Sequence, residues 1–205
     1  MQITRRSILS LVGATAVVGP AFGQDAGAES PFSQRSIGSP KAPVTAVEYF
    51  SLTCTHCAHF GTVVMPQVKP NLVDTGKLQI IYKDFPLDQV ALMAAQVARS
   101  LPAAEYYPFI EALFASQDDW AFTPGIDYTK SIFKYAALAG MDQETYQAAL
   151  NNQKLKDFIL TGQNQAETML HIDSTPSFII NGQLKAGAME YDVFSAAVTA
   201  AAKGA

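Results

Sequence analysis

The 205 residues (22.0 kDa) leave room for one domain of ordinary size, or one domain with an elaborate insertion. A hydrophobic share of 49% against 16% charged excludes a disordered chain, and a net charge of −4 with a pI near 5.3 excludes a general nucleic-acid binder, which needs a basic face. Two cysteines are too few for a disulfide-dense scaffold or a four-cysteine zinc site, so their position decides what they can do.

Residues 1–23 carry no Asp or Glu, contain Arg5-Arg6, and run through apolar residues 8–18 to Ala21 and Gly23, small side chains before a plausible cut at Gln24. Eleven apolar residues at about 1.5 Å each cannot span a bilayer of roughly 30 Å. The segment therefore reads as a cleaved export signal, with a short N-terminal helix packed on the domain as the rival. Arg5-Arg6 suits a twin-arginine route and an ordinary secretory one alike. Export places both cysteines in a periplasmic, oxidising compartment, where a disulfide persists.

Residues 24–39, polar and rich in Gly and Ser, read as a loose lead-in. Residues 44–51 (VTAVEYFS) are β-branched and aromatic after Pro43, which predicts a buried strand. Phe60, Val63, Val64 and Val68 have helical spacing, with a bend expected at Pro66. Residues 78–83 (LQIIYK) follow an Asp74-Thr75-Gly76 turn and predict a second strand. Residues 88–172 show no strand pattern: 90–101 read as a buried helix, and Tyr106, Ile110 and Leu113 line one face of the next. Gly140 and Asp142 mark a helix end and a cap, and Leu155, Ile159 and Ala166 belong to a long amphipathic helix. Residues 177–180 and 184–186 flank Asn181-Gly182, a strong hairpin signal, before a last amphipathic helix through Phe194 and Val198. Strand, helix and strand early, with a hairpin and helix late, make an α/β plan carrying a helical insertion.

The chemistry lies at Cys54-Thr55-His56-Cys57, where a strand hands over to a helix. Two intervening residues allow both sulfurs onto one turn, with Cys54 at the helix N-terminus, where free N–H groups and the helix dipole favour thiolate. Moving a thiol from about 8.5 to about 4 requires ~6 kcal/mol, of which a helix end supplies at most ~2. Other donors must supply the rest, and the ring of His56, between the cysteines, is the expected one. The reading expects Cys54 exposed with a depressed pKa and Cys57 buried. Two rivals stand beside it: an inert structural disulfide, and a metal site using Cys54, His56, Cys57 and His59. Four such dense ligands fit one tetrahedral ion poorly, and no second ligand pair follows downstream. His59 alone reads as a surface helix residue, and His171 as a helix-terminal one.

Residues 38–60 (GSPKAPVTAVEYFSLTCTHCAHF), 83–87 (KDFPL) and 175–182 (TPSFIING) resemble, in that order, the DsbA-like branch of the thioredoxin superfamily. The resemblance implies an α/β, thioredoxin-like fold (residues 40–87 and 173–205) interrupted by a helical domain over 88–172. The implied activity is that of a periplasmic thiol:disulfide oxidoreductase, with no cofactor and no metal. Cys54 matches the nucleophile and Cys57 the resolving cysteine, together the redox-active disulfide. Thr55 and His56 match the dipeptide that tunes the couple, although the family often has proline where Thr55 stands. Pro176 matches a cis-proline facing the cysteines, Thr175 the residue whose backbone holds substrate, and Glu48 a buried acid near Cys57. A mid-strand carboxylate in an apolar run needs a partner, and Lys83 on the next strand is the expected one. The implied substrates are reduced exported proteins, and the implied recycling partner is a membrane quinone-linked reoxidase. Isomerase relatives also carry threonine before the proline, so an isomerase or reductase stays open, as do a periplasmic Cys/His metal-binding module and a chaperone-like peptide binder. The short lead-in leaves no room for an N-terminal dimerisation domain, which favours a monomer.

Overall fold

The apolar stretches at 44–50 and 78–84 form neighbouring parallel strands in the computed structural model, which describes residues 30–204. The expected export signal and residues 24–29 lie outside the described residues. In chain order, β1 (Arg35–Ile37) and β2 (Val44–Phe50) precede a helical run containing α1 (Thr55–His59) and α2 (Met65–Val68). After β3 (Leu78–Asp84) come α3 (Gln89–Ser100), α4 (Ala103–Ala115), α5 (Tyr128–Leu138), α6 (Gln143–Leu150) and α7 (Gln153–Leu170). The hairpin β4 (Ser177–Ile180) and β5 (Gln183–Ala186) and then α8 (Tyr191–Lys203) complete the fold. The sheet order is β1-β3-β2-β4-β5, so β2, which leads into the cysteines, is the central strand. Among the described residues only the β2–β3 pairing is parallel.

Because side chains alternate along a strand, β2 turns Val44, Ala46, Glu48 and Phe50 to one face and Thr45, Val47 and Tyr49 to the other. The first face lies in the main core. There Phe60 meets Phe178 at 4.7 Å and Phe194 at 5.3 Å between ring centroids, joining the helical run after the cysteines to β4 and α8. Each such fully buried ring contributes roughly 1.5–3 kcal/mol by its removal from water. The second face carries a smaller cluster of Tyr49, Phe85, Ala166 and Ile172 beneath α7.

The bend expected at Pro66 takes another form. Prolines 66 and 70 cannot donate to the helical ladder, and the helix widens instead into π turns over Phe60–Val64 and Lys69–Val73, closed by Met65 N–H to Phe60 and Asp74 N–H to Lys69. Gly61 sits in the first of these, where a Cβ would come within 2.8 Å of the Phe114 ring; its bare backbone is what lets α4 pack there. Asn181 and Gly182 both adopt positive φ, +43° and +82°, as a tight two-residue hairpin requires. The strand β1 falls in a segment expected to be loose. It is three residues long, and the strand pattern is invisible because its buried member is Arg35, which donates to the Arg99 carbonyl at 2.8 Å.

Candidate active site

Cys54 is the N-cap of α1, with extended backbone (φ −83°, ψ 119°), and its sulfur accepts the Cys57 N–H at 3.3 Å, as a serine oxygen would in that position. The loop ahead of it is pinned from three sides. Gln117, buried after α4, donates to the carbonyls of Leu52 at 2.7 Å and Cys54 at 3.1 Å. Thr53 Oγ1 donates to Asp88 Oδ2 at 2.7 Å, while Asp88 Oδ1 caps α3 through the Ala91 N–H. Ser51 Oγ accepts the Leu87 N–H at 3.3 Å. Sequence reasoning missed Gln117 and Asp88 as site supports: a lone Gln after an apolar helix and a capping Asp carry no signal of what they hold across space.

The Thr175-Pro176 bond is cis, and it brings the Thr175 carbonyl to 3.3 Å from Cys54 Sγ, which donates to it as a thiol. This covers Cys54 more than expected. Cys54 retains only 7% of its surface and Cys57 none, so the expectation of an exposed Cys54 is corrected: the Thr175-Pro176 segment lies over it. Thr175 Oγ1 is buried without a partner in this state and is free to donate once the sulfur is ionised.

These contacts lower the Cys54 pKa to about 5. The Cys57 thiol donating to the sulfur is the largest cause; burial opposes it, and the Thr175 side chain and the backbone N–H groups of Cys57 and His56 add to it. His56 thus acts through its backbone; its ring, expected to be the donor, is exposed. Burial pushes the Cys57 thiol up, as do its hydrogen bond to Cys54 and the Cys54 charge. The pair is therefore asymmetric: one sulfur is poised as thiolate, the other held as thiol.

Glu48 lies on the central strand, 3% exposed, and burial together with the nearby Cys54 charge raises its pKa to about 8. Its expected partner is elsewhere. The parallel register places Glu48 beside Tyr82 and Tyr49 beside Lys83, and register partners share a face, so Lys83 is exposed on the opposite side of the sheet. Glu48 avoids an unpaired buried charge by staying protonated near neutral pH.

His59, one turn on, pairs at the surface with Glu190 at 2.9 Å, and His171 is the left-handed C-cap of α7 with φ +55°. Among the described residues no three His, Cys, Asp or Glu side chains gather to hold a metal ion. Beside the Thr175 loop, Phe85, Pro86, Leu87, Glu167, His171 and Ile172 line an open groove.

The chain matches known proteins over nearly all of its described residues. The thioredoxin family model matches residues 32–200. The crystal structure of alpha-DsbA1 from Wolbachia pipientis is 31% identical with a TM-score of 0.78, covering 84% of this chain and 92% of that one. The chain belongs to the DsbA-like branch of the thioredoxin superfamily. A protein-disulfide isomerase from Novosphingobium aromaticivorans is 25% identical with a TM-score of 0.72, covering 82% of this chain and 97% of that one. A Rickettsia conorii protein named for protein-disulfide oxidoreductase activity is 30% identical over 163 residues, 79% of this chain and 58% of the relative. The chain thus spans little more than half the length of that relative. Among the described residues no helix is long and apolar enough to cross a membrane.

Proposed function

We propose that the protein is a periplasmic thiol:disulfide oxidoreductase that donates the Cys54–Cys57 disulfide to reduced exported proteins. The observation that carries this reading is the asymmetry of the two sulfurs: Cys54 is lowered to about 5 at a helix N-cap, and Cys57, fully buried, is raised. What stabilises the Cys54 thiolate stabilises the reduced enzyme and makes its disulfide the stronger oxidant.

A client thiolate attacks Cys54 Sγ, the Cys54–Cys57 bond breaks, and a client–Cys54 disulfide forms. The departing Cys57 sulfur is a poor leaving group as thiolate, and Glu48, protonated at neutral pH, supplies the proton. The client's second thiolate then attacks the client sulfur of the mixed disulfide and releases Cys54 as the stabilised thiolate. Two electrons pass from client to enzyme, and a membrane quinone-linked reoxidase takes them onward. The Thr175 backbone beside Cys54 holds an extended client strand during the exchange. The protein acts as a monomer without cofactor or metal.

The test is capture. Incubated with an unfolded exported protein that carries a disulfide and quenched in acid, Cys57→Ser accumulates a mixed disulfide: the Cys54 thiolate attacks the client disulfide and expels one client thiolate, and the internal attacker that would cut the new bond is gone. Cys54→Ser captures nothing. Equal trapping by both variants, or by neither, contradicts the proposal, since a structural disulfide or a metal-binding module does not distinguish the two cysteines.

A further inference from the structure

On the sheet face turned away from Cys54, α7 does not close against β2 and β3, and a cavity of about 350 Å³ remains between them. Tyr49 from the sheet and Phe158, Ile159, Ala166 and Met169 from α7 give it apolar surface, beside the polar side chains of Lys83, Asp84, Arg99, Thr161 and Gln165. Such a volume is in the range of small-molecule sites, roughly 300–1,000 Å³. Two independent features separate it from a packing defect.

The first is a pair of convergent donors. Tyr49 and Lys83 are register partners on the parallel strands β2 and β3, hence side by side on the face that lines the cavity. Among the described residues the Lys83 ammonium has no ion pair and the Tyr49 hydroxyl no hydrogen bond. The other cation of the lining, Arg99, is committed: it is ion-paired with Asp84, donates to the carbonyls of Pro31 at 3.2 Å and Ser33 at 3.1 Å, and lies 5.2 Å over the Phe158 ring. The free charge of the cavity is therefore that of Lys83, and it is positive.

The second is Gly162, which lines the cavity within the 18-residue α7. A Cβ there would meet nothing within 4 Å. Nothing steric demands glycine, and glycine inside a helix costs about 0.5–1 kcal/mol relative to alanine. A better helix former would fit at this exposed position of the lining.

We infer that this cavity binds an apolar monocarboxylate, its carboxylate held by Lys83 and Tyr49 and its apolar body against Phe158 and Ile159. The site is distinct from the cysteine site, which lies across the sheet.

The test is calorimetric titration of the full chain with decanoate, and with decan-1-ol as the uncharged comparison. Decanoate is expected to bind one-to-one and at least about tenfold tighter than decanol, the worth of a charge-assisted hydrogen bond. Lys83→Met reduces decanoate to the level of decanol, and Gly162→Leu, which adds a side chain to the lining, abolishes binding. Alkylation of Cys54 is unchanged in both variants, which shows each to be folded. Absence of saturable binding, decanol binding as tightly as decanoate, or an affinity unaffected by Gly162→Leu overturns the inference.

Discussion

The Cys54 thiolate rests on donors that can be removed one at a time. The pH dependence of iodoacetamide alkylation should show a midpoint near 5 in the wild type. Thr175→Val removes a buried hydroxyl that helps to lower the pKa of that sulfur, and raises the midpoint. His56→Ala keeps the backbone N–H and leaves the midpoint where it was; a large rise in that variant would return the ring to the role expected from sequence. Glu48 makes the opposite prediction. Its folded value of about 8 lies above the ordinary 4.5, so the folded state binds the extra proton between these limits. Its contribution is complete below about 4.5 and is lost as pH rises through 8. In the reduced protein Glu48→Gln should therefore gain stability relative to wild type between pH 5 and 8, by several kcal/mol at about 1.36 per unit, read by urea unfolding. No relative change would mean that Glu48 is hydrated. The cysteines were legible because a strand–C-x-x-C–helix junction advertises its chemistry locally. The partner of Glu48 was not, because the facing of Lys83 follows from strand register, which no local pattern states.

Among the elements, α3 carries a buried ion pair. Arg99 and Asp84 pair with side chains only 3% and 5% exposed, tying α3 to the end of β3 just ahead of the loop that meets Ser51 and Thr53. Arg99→Met strands a buried carboxylate and should destabilise the fold by roughly 3–5 kcal/mol at neutral pH, the cost of breaking such a pair from one side. Chemical denaturation at neutral pH checks this, and a variant as stable as the wild type would contradict it. Element by element, periodicity located β2, β3, the hairpin and the long helices. It missed β1, whose three residues are too few to show a period and whose core member is a charged Arg35. It placed the bend of the first helical run at Pro66, whereas two prolines share the adjustment through π turns.

For the whole molecule, the helices between β3 and β4 share one core with the sheet and reach back to hold the active-site loop through Gln117. That reach across 65 residues explains why the general plan was readable from sequence and the support of the site was not. The thermodynamic consequence belongs to this scale too. A thiolate stabilised in the folded reduced protein contributes fully above the ordinary thiol value near 9 and is lost as pH falls through about 5. At pH 7 part of it remains, and it opposes the usual gain from a cross-link. The most direct measurement is therefore the equilibrium of the Cys54–Cys57 pair with glutathione buffers at pH 7. The account predicts a midpoint more oxidising than about −200 mV, with the reduced protein harder to unfold in urea than the oxidised one; a midpoint at or below about −270 mV, with the disulfide stabilising the fold, would contradict it.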